Sequence, residues 1–322
     1  MPALNEADVI GNVIDQIPRD FQYAAKVTIL VIDDGSTDAT RKIALEHNAV
    51  VYSHPVNRGL GTAFSSATEQ ALNMGADILV SIDADGQFNP MEIPQLVEPI
   101  AQKRCDFTLG NRFANCKRPT GMPVPRFLGN QIMNTVLSLL VRRQISDASC
   151  GFRAYSRNTL LRLNPVERFT YTHETLLELH AKGLLCEQIP ISVRYFPGRK
   201  SILTRSLFMY GTRALLIIVR FLRDYRPTLF FGGVGVLCAI VSVGLAIVPI
   251  TNFLLYDSFT PYKTLGVMSL FFASLGIASV FVGFLADSNA RQRMLLENLL
   301  YLQRAQIFNT HAANNSQSRS NT

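Results

Sequence analysis

The 322-residue sequence contains no tryptophan, which excludes a Gln-x-x-Arg-Trp motif anywhere in it. Its cysteines are few and odd in number: Cys105, Cys116, Cys150, Cys186 and Cys238, with no Cys-x-x-Cys spacing. That pattern points to a reducing compartment and no structural metal. The glycine-rich phosphate loops are missing as well. Gly59-Leu60-Gly61 does not continue as Gly-x-Gly-x-x-Gly, and no Gly-x-x-x-x-Gly-Lys-Ser/Thr occurs, so neither a dinucleotide fold nor a P-loop is expected. An EF-hand starting at Asp83 fails too, because its sixth position would be Phe88 and its twelfth Pro94. No secretory signal peptide is visible at the start.

What is present is basic and apolar. The net charge is +7, and arginines crowd the region just before an apolar C-terminal part. This balance fits an anionic membrane surface or an anionic substrate, and no nucleic-acid partner is expected. The length suggests about two domains.

The chain is organised around Ser81-Ile82-Asp83-Ala84-Asp85-Gly86-Gln87. The apolar, β-branched run Ala76–Val80 before it reads as a buried strand. Side chains at i and i+2 of an extended chain point to the same side, so Asp83 and Asp85 are expected to grip one hard cation, Mg²⁺ or Mn²⁺. A second buried strand, Val27–Ile32, runs into Asp33-Asp34-Gly35-Ser36-Thr37-Asp38, and a helix is expected from Ala39 to Glu46. Val50–Tyr52 is a short strand, and Asn57-Arg58-Gly59 opens a helix to about Met74. Strand, acidic or Gly-rich turn, then helix, repeated, predicts a parallel α/β sheet with its ligand at the carboxyl ends of the strands. Asp33 or Asp34 can accept there from a base N–H or a ribose hydroxyl. Asn5 is expected to cap a helix reaching about Ile17.

Four segments occur together: Pro2-Ala3-Leu4-Asn5-Glu6, the Asp33–Asp38 run, Asn57-Arg58-Gly59 and Asp83-Ala84-Asp85-Gly86-Gln87. In order and spacing they resemble the family 2 glycosyltransferases of the GT-A fold, and among these the polyprenyl-phosphate glycosyltransferases. The family carries a strand ahead of the Pro-x-x-Asn-Glu segment, and this sequence opens at that segment. The resemblance implies that Pro2, Leu4, Asn5, Glu6 and Asp34, with Asp33, line the nucleotide. It implies that Asp83, Asp85 and Gln87 hold the metal and the sugar diphosphate. Arg112, in Phe107–Arg112, and Arg126, after the Pro119–Pro125 loop, resemble ligands of an acceptor phosphate. That loop reads either as a lid or as an irregular connection. Asp147-Ala148-Ser149-Cys150-Gly151-Phe152-Arg153 matches the family's Asp-x-x-x-Gly-Phe-Arg segment, which makes Asp147 a weak base or an orienting carboxylate. The basic loop Arg194–Ser201 resembles one that closes over the diphosphate, with Arg199 and Lys200 on the donor and Ser201 on the acceptor phosphate. His173-Glu174 reads as a helix-start acid or an active-site wall, and His54 and His180 as structural.

Beyond this the composition changes. Residues 1–204 are the expected catalytic domain, and residues 205–227 an interfacial amphipathic helix carrying Arg213, Arg220 and Arg223. Residues 228–250 and 264–286 carry no charge and are long enough to span a bilayer. With Arg223 and Arg226 on one flank and Arg291 and Arg293 on the other, both ends are expected in the cytoplasm. Residues 287–322 are expected to hold a helix to about Phe308, either interfacial or pairing with another copy of the chain, and then a disordered polar tail. The expected protein is therefore an integral membrane enzyme with a cytoplasmic catalytic domain and a Mg²⁺ or Mn²⁺ cofactor. It inverts a hexose, glucose foremost, from a UDP-sugar onto polyprenyl phosphate. The rivals are another donor (GDP-mannose or a UDP-amino sugar), a hydroxyl acceptor, or a non-catalytic lipid-carrier scaffold.

Overall fold

The computed structural model describes residues 1–114, 118–164, 171–195 and 207–320. They form two compact units, Met1–Thr212 with Leu300–Thr322, and Arg213–Leu299.

The first unit is a mixed α/β domain. Its opening elements are β1 (Pro2–Ala3), α1 (Ile10–Asp15), β2 (Leu30–Asp33), α2 (Thr40–Glu46), β3 (Val50–Ser53) and α3 (Leu60–Asn73). β1, β2 and β3 form a parallel three-stranded sheet, with Pro2 opposite Ile32 and Leu30 opposite Val50. Every residue of β2 is buried, as expected for a strand covered on both faces. Leu30 and Ile32 pack against Ala63 and Ala67 of α3, where the small alanines let the helix lie close on the strand. Asn5 does not cap α1. It stands at φ 54° outside the helix, whose N-cap is Val9 with no side-chain bond, because its amide is spent on a loop 32 residues away.

Four strands build the second sheet: β4 (Ile78–Ser81), β5 (Phe107–Asn111), β6 (Arg153–Ser156) and β7 (Cys186–Pro190), in the order β4-β6-β5-β7. Here the expected parallel pattern is broken. β6 runs antiparallel to both β4 and β5, and only β5 and β7 are parallel. β6 is only four residues long and opens on an arginine, so no apolar run announces it. The helices α4 (Ile93–Ala101), α5 (Val124–Val141), α6 (Arg157–Arg162) and α7 (Tyr171–Ala181) surround this sheet.

Three further helices follow: α8 (Leu207–Tyr225), α9 (Pro227–Tyr256) and α10 (Lys263–Ser320). α9 and the Lys263–Phe308 part of α10 are each long and apolar enough to cross a membrane. Within the second unit they pack antiparallel. Ser279 donates to the carbonyl of Phe231 at 2.8 Å, and Ser242 to that of Ser269 at 2.8 Å. Gly235 and Gly276 face each other, so that a Cβ on either would come within 3.2 Å of the other's carbonyl oxygen. Small residues and serine hydroxyls at a helix seam are what association needs where no water drives it.

α10 stays helical through Ser320 instead of ending near Phe308. The sequence from Asn289 onward contains no glycine or proline to break it. In the first unit its end docks on α6. Tyr301 Oη donates to Asn158 Oδ1 at 3.1 Å, Arg162 lies 4.4 Å over the Tyr301 ring, and Arg304 donates to the carbonyl of Leu163 at 2.8 Å. Within the segment expected to be interfacial or intersubunit, Tyr301 and Arg304 thus meet α6 of their own chain.

Candidate active site

The carboxyl edge of the parallel sheet holds the first cluster. Asp33 and Asp34 are both buried and both occupied by their surroundings. Asp33 Oδ1 accepts from the Ser36 amide at 3.0 Å, closing the turn. Asp34 Oδ1 lies 2.7 Å from His54 Nδ1 and accepts from the Arg58 amide at 3.0 Å, and its Oδ2 accepts from the Gly59 amide at 2.8 Å. His54 Nε2 in turn lies 2.9 Å from Ser66 Oγ. Asp34 is thus the post around which the Asn57–Gly59 turn is wound, and His54 is structural, as expected. Gly35 makes the close approach possible: at φ 78°, a Cβ there would sit 2.6 Å from the backbone of Val56. Asn5 completes the cradle, since its amide is bonded to Ser36 Oγ at 3.0 Å and its Oδ1 accepts from the Thr37 amide at 2.9 Å. Pro2 is buried in β1, whereas Leu4 and Asn5 are exposed at the surface of this cradle.

The second cluster follows β4. The strand ends at Ser81, so Asp83 and Asp85 do not alternate along an extended chain as the spacing suggests. They sit in a tight turn closed by Asp85 Oδ1 accepting from the Gln87 amide at 3.0 Å. A turn, not a strand, brings the two carboxylates together. Burial pushes the Asp83 carboxyl up to about 6, and the negative charge of Asp85 adds to it, with Glu6 contributing in the same direction. The space beside Asp83 depends on Gly151, where a Cβ would lie 3.2 Å from Asp83 Oδ2 and 3.3 Å from Tyr171 Oη. Tyr171 Oη lies 3.0 Å from Ser81 Oγ and donates to the carbonyl of Gly151 at 3.3 Å. Its ring stacks on Phe64 at 4.0 Å, tying α7 to α3 behind the site.

The third cluster is basic. Arg112, at the end of β5, is nearly buried and makes a bidentate pair with the fully buried Asp147, with Nε to Oδ2 and Nη2 to Oδ1 both at 2.7 Å. Its Nη2 also reaches Ser149 Oγ at 2.7 Å, and its Nη1 donates to Tyr195 Oη at 3.2 Å. Arg126 lies 5.4 Å over the ring of the same Tyr195. Tyr195 therefore joins the two arginines that the sequence separates by fourteen positions. It is delivered beside the acidic turn: Phe88 bridges Val193, and the Arg194 amide donates to the carbonyl of Gln87 at 2.8 Å. Glu92 pins the same strand exit by accepting from Ser192 Oγ at 2.7 Å.

Both Asp147 oxygens accept from Arg112, and Oδ2 also accepts from the Arg112 amide at 3.1 Å while Oδ1 accepts from Ser149 Oγ at 3.3 Å. The Asp147 loop is held from behind by Arg153. This buried guanidinium donates to the carbonyls of Cys150 (2.8 Å), Ala148 (2.7 Å) and Thr172 (2.8 Å). His173 stands near it, and burial followed by the Arg153 charge pushes its imidazole down to about 4. Arg199, Lys200 and Ser201 lie outside the described residues.

The family model for glycosyl transferase family 2 matches residues 1–163, half of the chain. The chain belongs to glycosyl transferase family 2. One relative is the UDP-N-acetylglucosamine–dolichyl-phosphate N-acetylglucosaminyltransferase of Methanococcus voltae, 29% identical over 215 residues, covering 61% of this chain and 84% of that protein. Another is the polyprenol monophosphomannose synthase of Mycolicibacterium smegmatis, 28% identical over 202 residues, covering 60% of this chain and 75% of that one. Among solved structures, glucosyl-3-phosphoglycerate synthase from Mycobacterium tuberculosis, in complex with Mn²⁺, UDP and its product, superimposes with a TM-score of 0.52. It is 24% identical and covers 69% of this chain and 76% of its own. The likeness establishes the GT-A fold for this family 2 domain.

Among the described residues, no three His, Cys, Asp or Glu side chains gather as a metal cage. What the family 2 domain offers is a pair of neighbouring carboxylates, Asp83 and Asp85, of which Asp83 is pushed up first by burial and then by the charge of Asp85. Such an oxygen-only pair fits a hard divalent cation that draws its other ligands from a substrate diphosphate. Tyr195, Ser149, Tyr171 and Gly151 are the site residues that sequence reasoning passed over. Ser149 and Gly151 carried a signal inside the Asp147–Arg153 segment, and Tyr195 inside the Arg194–Ser201 loop, whereas Tyr171 carried none.

Proposed function

We propose that the protein is an inverting glycosyltransferase that moves a hexose, glucose foremost, from a UDP-sugar to a polyprenyl phosphate at the cytoplasmic face of a membrane. The observation that carries this reading is the adjacency of the acidic Asp83–Gln87 turn to the Arg112–Tyr195–Arg126 group, in a chain that also has two helices of membrane-spanning length. An acidic site suits a metal-bound diphosphate, and an arginine site beside it suits a second phosphate. The printed functions of the M. voltae and M. smegmatis relatives support an acceptor of this chemistry. The UDP- and Mn²⁺-bound structural neighbour supports the donor and the cation.

In this reading Asp83 and Asp85 hold Mg²⁺ or Mn²⁺, which when bound neutralises charge on the departing diphosphate. The Asp33–Asp34 and Asn5 cradle shapes the nucleotide end, and Glu6 lies close to Asp83. Arg126, with no carboxylate partner among the described residues, takes the acceptor phosphate. Arg112, locked by Asp147, fixes Tyr195 beneath it. An acceptor phosphate oxygen forms a bond to the anomeric carbon as the bond to the diphosphate oxygen breaks, and UDP leaves with the electron pair. A phosphate monoester is already ionised near neutral pH, so no base has to remove a proton.

The test is a donor and acceptor screen with the full chain in lipid nanodiscs. UDP-glucose, UDP-N-acetylglucosamine and GDP-mannose are each offered with polyprenyl phosphate, polyprenol or 3-phosphoglycerate, with and without EDTA. The expected result is UDP-sugar-dependent labelling of polyprenyl phosphate that EDTA abolishes. Transfer to polyprenol or to phosphoglycerate instead would overturn the acceptor assignment, and preference for GDP-mannose would overturn the donor.

A further inference from the structure

α5 carries an apolar stripe that no described residue of the domain covers. Val124 (50% exposed), Leu128 (51%), Ile132 (61%) and Leu139 (74%) recur at spacings of four and seven, with Thr135 between them. At about 100° per residue these positions fall within one narrow arc of the helix. The opposite arc, including Gly129, Met133 and Leu137, is buried in the domain. No other described helix in residues 1–195 exposes more than one large apolar side chain. An isolated exposed leucine needs no explanation, but an aligned row does.

The stretch of chain that carries the stripe has charge of one sign. Residues 107–146 hold six cations, Arg112, Lys117, Arg118, Arg126, Arg142 and Arg143, and no aspartate or glutamate. Arg142 and Arg143 are exposed at the C-terminal end of α5, Arg118 is exposed ahead of it, and the stripe itself carries no charge. A row of large apolar side chains with cations at both ends and no anions complements the surface of an anionic bilayer, whose acyl region takes the stripe and whose headgroups take the arginines.

We propose that the outer face of α5 is a membrane-contact surface that seats this edge of the catalytic domain on anionic lipid. This contact is separate from the spans α9 and α10. It rests on the membrane-attached reading of the chain for its location. Its consequence for that reading is that Arg126, in the first turn of α5, sits at headgroup depth, where a lipid phosphate is presented.

The experiment places an environment-sensitive fluorophore at Ile132→Cys, with Leu45→Cys on α2 as a water-exposed control and the unsubstituted chain as background. The full-length protein is reconstituted in vesicles of mixed phosphatidylcholine and phosphatidylglycerol, in phosphatidylcholine alone, and in detergent. The expected result is a shift of the Ile132 probe to shorter wavelength and its quenching by brominated acyl chains. Both effects are stronger with phosphatidylglycerol and weaker at high salt, and the Leu45 probe does not change. An Ile132 probe that stays water-like in both lipids overturns the proposal. A shift that is the same in detergent and grows with protein density also overturns it, and assigns the stripe to a second copy of the chain. Alkaline carbonate extraction is run in parallel: release of the protein refutes the two spans, while the probe decides the α5 face.

Discussion

Arg112 and Asp147, thirty-five residues apart, meet as a bidentate pair with both N–O distances at 2.7 Å and both side chains almost out of solvent. The pair divides the two arginines of the basic cluster into different kinds. In the proposed reading Arg112 is a framework cation whose charge Asp147 matches. Arg126 is half-buried and, among the described residues, meets the cluster through the Tyr195 ring.

That division predicts opposite phenotypes. Removing one partner of a buried ion pair leaves an uncompensated charge and typically costs about 3–5 kcal/mol. Arg112→Ala is therefore expected to lower the denaturation midpoint strongly, whereas Arg126→Ala leaves it within about 0.5 kcal/mol of the parent, as for an ordinary surface change. Equal midpoints for the two variants would refute the framework role of Arg112.

Arg126→Ala is expected to act on the acceptor. A charge-assisted hydrogen bond contributes about 1.5–3 kcal/mol, so acceptor kcat/KM should fall roughly ten- to a hundredfold. Arg126→Lys gives a smaller rise in acceptor KM, because lysine offers a point charge in place of a planar fork. The donor KM stays constant. A weakened donor with an unchanged acceptor KM would move Arg126 to the diphosphate.

Asp85→Asn removes one of the two charges from the acidic turn while keeping an oxygen that can accept the Gln87 amide. Transfer should fall by about 10²–10³-fold, the usual cost of losing one catalytic electrostatic contact, with the thermal midpoint retained. Activity within about tenfold of the parent would remove Asp85 from the cation site.

Gly151→Ala tests the space beside Asp83. The added methyl lies 3.2–3.3 Å from the carboxylate oxygens and from Tyr171 Oη, so Asp83 or Tyr171 must give way. Overpacking costs about 1–3 kcal/mol. The expected outcome is a fall of about tenfold or more in Mn²⁺ affinity, measured by titration of the donor-bound protein. Unchanged Mn²⁺ affinity would show that the carboxylate does not need this gap.

The proposed orientation is checked by labelling from outside the cell. A Ser258→Cys probe, in the short loop between α9 and α10, should react with an impermeant maleimide, and a Ser288→Cys probe should not. The arginine bias of the flanks favours this direction, and the reverse labelling pattern would invert it.

The sequence alone determined the parts whose physics is local. The acidic and Gly-rich segments are turns that close on themselves, as Asp33 does with Ser36 and Asp85 with Gln87, so their order and spacing were readable without a fold. The apolar helices were readable because length and absence of charge suffice to mark a helix able to cross a membrane. Tertiary structure decided what depends on contacts between distant segments. It inserted β6 antiparallel between β4 and β5, which a four-residue strand beginning with arginine does not announce. It turned Asn5 from an expected helix cap into a brace for the Ser36–Thr37 turn, and Asp34 into the post of the Asn57–Gly59 turn. It made Asp147 a lock on Arg112 and brought Tyr195 between two arginines, because hydrogen-bond geometry is set by where the chain returns and not by its local propensity.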